Sequence, residues 1–133
     1  MIVYLDTNCV IYFVEHNPTW WPKVVARISR LRNAGDELAV GDLARAECLV
    51  GPFKNTDATL EGSYRAFFTD PDIKVLSLTA NVCERAARIR ATHPFKLPDA
   101  LHLATAIEHG CGQFLTNDTQ LAHCTDIPVE VLT

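Results

Sequence analysis

The sequence contains no long hydrophobic run. No apolar stretch approaches the roughly 18 residues that a membrane-spanning helix needs, and the opening MIVYLDTNCV lacks the basic segment that begins a signal peptide. We therefore expect a protein with no membrane association that works in the cytoplasm. The 133 residues, 48% of them hydrophobic, suffice to bury one core, so we expect a single domain over residues 1–133.

Paired cysteines and an excess of positive charge are also lacking. The five cysteines are odd in number and show neither a C-x-x-C pair nor a regular metal-ligand spacing, which predicts buried, reduced thiols. Twelve Lys and Arg residues against sixteen Asp and Glu residues give a net charge of −4. Bulk electrostatic attraction alone would therefore not hold nucleic acid, although a local basic path is compatible with this charge.

The chain does contain a regular alternation of strand-like and helix-like segments. Short apolar runs predict strands at MIVYL, ELAV, IKVLSL, GQFLT and PVEVL. Helix-length segments separate most of them, such as WPKVVARISRLRNAG, in which Val24, Ile28 and Leu31 recur at helical spacing. This alternation predicts an α/β fold with three layers, α/β/α, around a mostly parallel central sheet of four to five strands.

Acidic residues follow two of the predicted strands. Asp6 comes directly after MIVYL, and Asp118 follows QFLT after one intervening residue. Ligands of open parallel sheets bind beyond the carboxyl ends of the strands, so both acids are candidates for a functional site. Each alone is explained equally well as a turn or helix-capping residue, but the two together favour a site.

Asp99 lies at the predicted start of a helix in the segment FKLPDALHLATA. Pro98 suits the first helical position because its missing N–H would have no partner there, which places Asp99 in the first turn. The helix dipole stabilises such a carboxylate by about 0.3–1 kcal/mol, so a purely structural role would account for Asp99. The same dipole keeps the carboxylate ionised, as a metal ligand must be, and both roles stay open. His102 on this helix is interpreted as structural, because no serine or cysteine partner is recognisable.

Glu47 is predicted to lie on the helix DLARAECLV, with Asp42 as its N-cap and its end near Gly51 and Pro52. It is expected to share a face with the apolar residues Leu43 and Val50, which lie four positions before it and three positions after it, and with the adjacent Ala46. A carboxylate on a buried face must be protonated, paired with a cation such as an arginine, or bound to a metal.

The four acids are predicted to converge at one edge of the sheet. Without an obvious partner lysine they would repel one another, and a hard divalent cation would resolve that repulsion, because Mg²⁺ and Mn²⁺ prefer carboxylate and water oxygens. The candidate metal ligands are Asp6, Glu47, Asp99 and Asp118.

Four segments together resemble the PIN-domain family, and specifically the VapC-type toxin ribonucleases of VapBC toxin–antitoxin systems. They are IVYLDTNCVIYFVE, LARAECLVGPF, KLPDALHLATA and FLTND, which span nearly the whole chain. The resemblance implies a PIN-like fold with a catalytic, metal-binding quartet at Asp6, Glu47, Asp99 and Asp118. It also implies supporting polar roles for Thr7, Asn8 and Thr116.

The function that the resemblance implies is that of the toxin in a type II toxin–antitoxin system. Such a protein would be an endoribonuclease that uses Mg²⁺, or alternatively Mn²⁺, to hydrolyse RNA phosphodiester bonds. The resemblance also implies a homodimer and inhibition by a VapB-type antitoxin that blocks the acidic pocket.

Three basic residues are candidates for RNA binding. Lys96 directly precedes the Asp99 helix, while Arg27 and Arg30 lie on one face of their own helix. A solvated helix face is the alternative for the two arginines. Two other functions stay open, namely a non-catalytic PIN-fold binding module and a metal-dependent phosphatase of another α/β family. A haloacid-dehalogenase-type phosphatase would need a second aspartate where Asn8 stands.

Overall fold

A five-stranded sheet forms the centre of the computed structural model, which describes residues 1–133. All strand pairs are parallel, and the order across the sheet is β3-β2-β1-β4-β5. The strands are β1 Ile2–Leu5, β2 Glu37–Gly41, β3 Ile73–Leu76, β4 Gln113–Thr116 and β5 Val129–Val131. The predicted α/β class and mostly parallel sheet are therefore confirmed, with every predicted strand present.

Six α-helices connect the strands. They are α1 Thr7–Glu15, α2 Trp21–Asn33, α3 Asp42–Lys54, α4 Ala58–Thr69, α5 Ala80–Thr92 and α6 Leu97–Glu108, and a 3₁₀ turn covers Thr119–His123. None of these helices combines the length and the apolar character that a membrane crossing requires. All five cysteines are free, and all but Cys83 are buried.

The three-layer arrangement follows from the alternation of side chains along each strand. In β1, Val3 and Leu5 point into the core that includes residues of α1 to α4, whereas Tyr4 points into the core that includes residues of α5 and α6. In β4, Leu115 and Phe114 divide between the same two cores. The sheet is thus covered on both faces, as the continuous apolar strands predict.

Helix α3 differs from its predicted form. Gly41 is its N-cap, and Asp42 is the first helical residue, whose side chain lies 3.4 Å from Arg45 Nε. The helix also continues through Pro52 to Lys54. Proline removes one helical hydrogen bond, but the Pro52 ring is buried on the inward face of the helix, and this packing stabilises the last turn. In α6 the helix begins at Leu97, so Pro98 is its second residue rather than its first.

Candidate active site

The four predicted acids share the edge of the sheet where the strands end. Asp6 follows β1 and caps α1, Asp118 follows β4 and caps the 3₁₀ turn, and Asp99 lies in the first turn of α6. Glu47 belongs to α3, which begins directly after β2. The charges of the other three acids all act to raise the pKa of Asp99, so all three lie within electrostatic reach of it.

Asp6 is the most enclosed of these acids, with only 5% of its surface exposed. Its Oδ1 accepts a hydrogen bond from the backbone N–H of Thr7 at 2.8 Å, and its Oδ2 accepts one from Thr116 Oγ1 at 2.7 Å. Burial raises the pKa of Asp6, and the hydrogen bonds and the nearby His102 only partly offset this effect. The carboxylate is therefore fixed in orientation, but its negative charge is not fully compensated.

Asp99 is half-buried and accepts no hydrogen bond from the chain. Burial raises the pKa of its carboxyl, and the charges of Asp6 and Asp118 raise it further. No lysine or arginine forms an ion pair with any of these three aspartates. Like charges thus meet in the site without a lysine or arginine to pair them, and His102 is the basic group that acts on both Asp6 and Asp99.

Glu47 lies in surroundings different from those predicted. Its side chain is 36% exposed, and the neighbouring Val50 is 62% exposed. The buried face of α3 instead consists of Ala44, Cys48 and Pro52. The predicted apolar face was wrong because α3 carries two apolar stripes, and the tertiary packing turns the other one toward the core.

Glu47 also has a partner that its sequence context did not indicate. Its Oε1 accepts a hydrogen bond from Thr7 Oγ1 at 2.8 Å and one from His102 Nε2 at 2.6 Å. Partial burial acts to raise the pKa of Glu47, but the hydrogen bond and charge of His102 and the bond from Thr7 outweigh it, so the pKa is lowered. The basic partner of this acid is a histidine rather than the arginine considered from the sequence.

The predicted supporting residues divide into two groups. Thr7 and Thr116 touch the acids directly, and Thr116 Oγ1 also accepts the backbone N–H of Asp118 at 3.0 Å. Asn8 instead donates to Asn117 Oδ1 at 3.1 Å. Asn117, which sequence reasoning missed, links this contact to Tyr12 through a 2.7 Å hydrogen bond. Its position between Thr116 and Asp118, directly after β4, was the available signal.

The three basic candidates lie in different places. Lys96 is exposed and is the N-cap residue of α6, three positions before Asp99. Arg27 is held by Glu130 of β5, with hydrogen bonds of 2.6 and 2.7 Å from Nε and Nη2. Arg30 lines a cavity of about 270 Å³ beside this pair, and no acid of the quartet lines the same cavity. Only Lys96 adjoins the acidic site.

The donor chemistry of the site fits a divalent cation. Carboxylate oxygens are the ligands that Mg²⁺ and Mn²⁺ prefer, and the mutual repulsion acting on Asp99 is what a bound cation would relieve. No group of three or more His, Cys, Asp or Glu side chains stands close enough to hold an ion as a ready-made cage.

Fold and site together define a class of protein: a parallel α/β domain with an unpaired acidic cluster at the carboxyl edge of its sheet. Within this class the chain belongs to the PIN-domain family, because the PIN domain family model matches residues 3–126. The resemblance seen in the sequence is thereby confirmed. No curated protein sequence matches the chain significantly.

Solved structures of toxin–antitoxin proteins share the fold. VapBC2 from Rickettsia felis, bound to a DNA fragment from its promoter, matches with a TM-score of 0.82 at 17% identity and covers 100% of both chains. VapC20 from Mycobacterium tuberculosis, a sarcin–ricin loop cleaving toxin, matches with 0.77 at 15% identity over 98% of this chain and 99% of that one. VapBC-1 from nontypeable Haemophilus influenzae matches with 0.73 at 23% identity over 98% of each chain.

Proposed function

We propose that this protein is the toxin component of a type II toxin–antitoxin system, a metal-dependent endoribonuclease that hydrolyses RNA phosphodiester bonds in the cytoplasm. Residues 1–133 act as a single PIN-like domain. The observation that carries the proposal is the presence of Asp6, Asp99 and Asp118, none of them paired with a lysine or arginine, at the carboxyl edge of a PIN fold. The RNA-cleaving activity in the name of the structurally similar VapC20 also supports it.

The quartet Asp6, Glu47, Asp99 and Asp118 would hold Mg²⁺, with Mn²⁺ as the alternative. When bound, such an ion orients a water for in-line attack, polarises a phosphate oxygen and offsets the charge on the leaving oxygen. Thr7 and Thr116 keep Asp6 in one orientation through the bonds to its two oxygens. Asp99, which accepts no hydrogen bond from the chain, keeps both oxygens for the cation or for the proton of the attacking water.

The RNA would reach this site past Lys96. Its exposed ammonium group precedes α6 and can meet a backbone phosphate close to Asp99. Arg27 and Arg30 would contact RNA farther along the strand. Arg27 has the weaker support of the two, because its guanidinium already donates two hydrogen bonds to Glu130.

A VapB-type antitoxin and a second copy of the chain would be its protein partners. The similar structures from Rickettsia felis and Haemophilus influenzae are VapBC assemblies. A mostly apolar cavity of about 520 Å³ between α1, α2 and α4, lined by Phe13, Trp21 and Phe67 among others, offers a docking surface for an apolar segment of the antitoxin. Exposed Val50 and Phe53 on α3, at 62% and 56%, support a contact between copies.

Cleavage of RNA by the purified protein tests this function. We expect cleavage with Mg²⁺ or Mn²⁺, none in EDTA, and loss of activity in Asp99→Asn. Asp126→Asn is a matched control, because Asp126 is an exposed aspartate outside the quartet. Persistent cleavage in EDTA, or an Asp99→Asn protein as active as the parent, would contradict the proposal and favour a non-catalytic module or another chemistry. Expression without an antitoxin should arrest growth for the parent and not for Asp99→Asn.

A further inference from the structure

A hydrogen-bonded chain leads from the buried side chains of Tyr4 and His102 to the acidic site, and the proposed function gives these two residues no role. It runs from Tyr4 through His102 to Glu47, with Thr7 joining at the last step. Tyr4 is 0% exposed and His102 is 2% exposed, although Glu47 reaches the surface. Its members come from β1, α6, α3 and α1, so no short segment of the sequence contains it.

The chemistry of the partners fixes the proton on His102 Nε2. Glu47 Oε1 lies 2.6 Å from this nitrogen, and a carboxylate oxygen can only accept, so Nε2 carries the hydrogen. On the other side of the ring, the Tyr4 hydroxyl lies 2.6 Å from Nδ1. A phenol oxygen both donates and accepts, so this contact holds Nδ1 whichever of the two atoms carries the hydrogen. The imidazole is therefore held at both nitrogens, which fixes its orientation.

Gly41 at the end of β2 provides the space for this arrangement. A Cβ at Gly41 would come within 2.5 Å of the Tyr4 hydroxyl oxygen, closer than any side-chain atom tolerates. Its backbone dihedrals, φ −100° and ψ 159°, are open to any residue. Glycine is therefore required here because a Cβ would clash with Tyr4, and not because of the backbone conformation. The position of the phenol thus depends on both β1, which carries Tyr4, and β2, which ends at Gly41.

The same contacts could serve only to satisfy a buried histidine. What argues for more is the identity of the acceptor, because Nε2 donates to a 36% exposed carboxylate of the proposed catalytic quartet. An exposed glutamate samples many rotamers, so fixing its side chain costs conformational entropy. The hydrogen bonds that Oε1 accepts from Thr7 and His102 offset that cost, whereas Oε2 accepts no hydrogen bond from the chain.

We propose that Tyr4 and His102 are positioning residues that hold Glu47 by its Oε1 and leave Oε2 to bind the divalent cation. This inference rests on the proposed function, since it deepens the role of the same site. Hydrogen-bond partners of metal ligands characteristically contribute about 10–100-fold to metal affinity, which sets the size of the expected effect.

Calorimetric titration with Mn²⁺ tests the proposal without any RNA. His102→Leu should weaken Mn²⁺ binding by about 10–100-fold, and His102→Gln, whose amide can occupy the place of Nε2–H, should restore most of it. Tyr4→Phe should weaken binding less, because it acts through the histidine. In a Glu47→Gln background, His102→Leu should have no further effect, since the group it positions is no longer a carboxylate.

A nitrogen NMR signature gives a second measurement that needs no metal. Glu47→Gln should shift the Nε2 resonance of His102 and Tyr4→Phe should shift the Nδ1 resonance, while each leaves the other nitrogen nearly unchanged. This measurement decides the question should His102→Leu fail to fold. Unchanged Mn²⁺ affinity in a folded His102→Leu protein, or an Nε2 resonance unmoved by Glu47→Gln, would overturn the proposal.

The outcomes also separate this proposal from the ribonuclease function. If the parent cleaves no RNA but His102→Leu weakens Mn²⁺ binding and His102→Gln restores it, the positioning role stands and the ribonuclease function fails. If the parent cleaves RNA and His102→Leu binds Mn²⁺ as tightly as the parent, the ribonuclease function stands and the positioning role fails.

Discussion

Charged groups are arranged differently at the two ends of the parallel sheet. At the amino ends of the strands, opposite charges are paired across neighbouring segments. The ammonium group of Met1 lies 2.9 Å from Asp36, and Lys74 of β3 lies 3.1 Å from Glu37 of β2. In each pair the two charges compensate each other, and surface ion pairs of this kind contribute little to the free energy of unfolding.

At the carboxyl ends, like charges meet. Asp99 experiences the charges of Asp6 and Asp118, and burial together with these neighbours raises the pKa of its carboxyl. The polar side chains nearby, Thr7 and Thr116, fix the acids in orientation without neutralising them. The two ends thus differ in how far their charges are compensated, and carboxylates with perturbed pKa values are typical of functional sites.

The same substitution made at both ends should give the largest contrast. Asp6→Asn is expected to lower RNA cleavage by about 100-fold or more, which corresponds to about 2.7 kcal/mol of transition-state stabilisation, because it removes a charge whose position two hydrogen bonds fix. Asp36→Asn at the amino end should leave the cleavage rate unchanged. Initial rates at saturating Mg²⁺ measure both. Equal rates for Asp6→Asn and the parent would contradict a functional role for the acids at the carboxyl ends of the strands.

Two glycines, one before β2 and one at its last position, offer a second contrast. Gly41→Ala is expected to lower the free energy of unfolding by about 2 kcal/mol through overpacking against Tyr4. Gly35 precedes the strand with a φ of 82° and has open space around it, so Gly35→Ala should cost about 1 kcal/mol through backbone strain alone. Urea unfolding measures both free energies.

Asparagine at the same two positions sharpens this test. Asparagine adopts a positive φ more readily than alanine, so Gly35→Asn should cost less than Gly35→Ala. Gly41→Asn, with its larger side chain, should cost at least as much as Gly41→Ala. A Gly41→Ala protein as stable as the parent would show that Tyr4 moves away freely, and it would weaken the case for a fixed phenol.

Strand ends were predictable from the sequence, whereas the surroundings of individual side chains were not. Short apolar runs indicated all five strands, and Asp6 and Asp118 follow strands by position alone. The orientation of α3 was not predictable, because Ala44 and Cys48 form one apolar stripe and Ala46 and Val50 form another. Only packing against the rest of the fold decides which stripe is buried.

The histidine contact was beyond sequence reasoning for a different reason. Tyr4 and His102 are 98 positions apart, and Glu47 and His102 are 55 apart. Neither separation produces a periodic or local pattern. The available hint was the spacing of three residues between Asp99 and His102, which places them on neighbouring turns of α6. That hint cannot tell a buried partner of a carboxylate from an ordinary core histidine.

A smaller effect of opposite sign is expected for stability without metal. The raised pKa of Asp99 means that its charge opposes folding, so the parent loses stability as the pH rises from the usual value of 3.8 through the folded-state pKa. Asp99→Asn should therefore be more stable than the parent at neutral pH, by less than about 1 kcal/mol because solvent screens this half-exposed group. Below pH 3.8 the two should converge.

Thermal unfolding in EDTA and in Mg²⁺ measures this difference. Added Mg²⁺ should stabilise the parent more than Asp99→Asn, because binding to the folded state alone raises its stability. An Asp99→Asn protein that melts below the parent in EDTA at neutral pH would show that the helix-dipole contribution of Asp99 exceeds the repulsion from its neighbours.

The smallest effect is expected at the Arg27–Glu130 pair. Glu130 has a cationic partner, whereas Asp99 forms no ion pair. The hydrogen bonds from Arg27 lower the pKa of Glu130, so its contribution to stability is present above the usual value of 4.5 and is lost as the pH falls through the lower folded-state pKa. Glu130→Gln should cost about 0.5 kcal/mol at pH 7, since solvent partly screens this carboxylate, whose side chain is 30% exposed. Urea unfolding of parent and variant should give converging free energies as the carboxyl becomes protonated.

Glu61→Gln, in the exposed i,i+4 pair with Arg65, is the matched control and should cost no more. Asp99→Asn is expected to stabilise the protein at pH 7. If Glu130→Gln did the same, paired and unpaired carboxylates would have the same effect on stability, which would contradict the contrast between the paired charges and the acidic site.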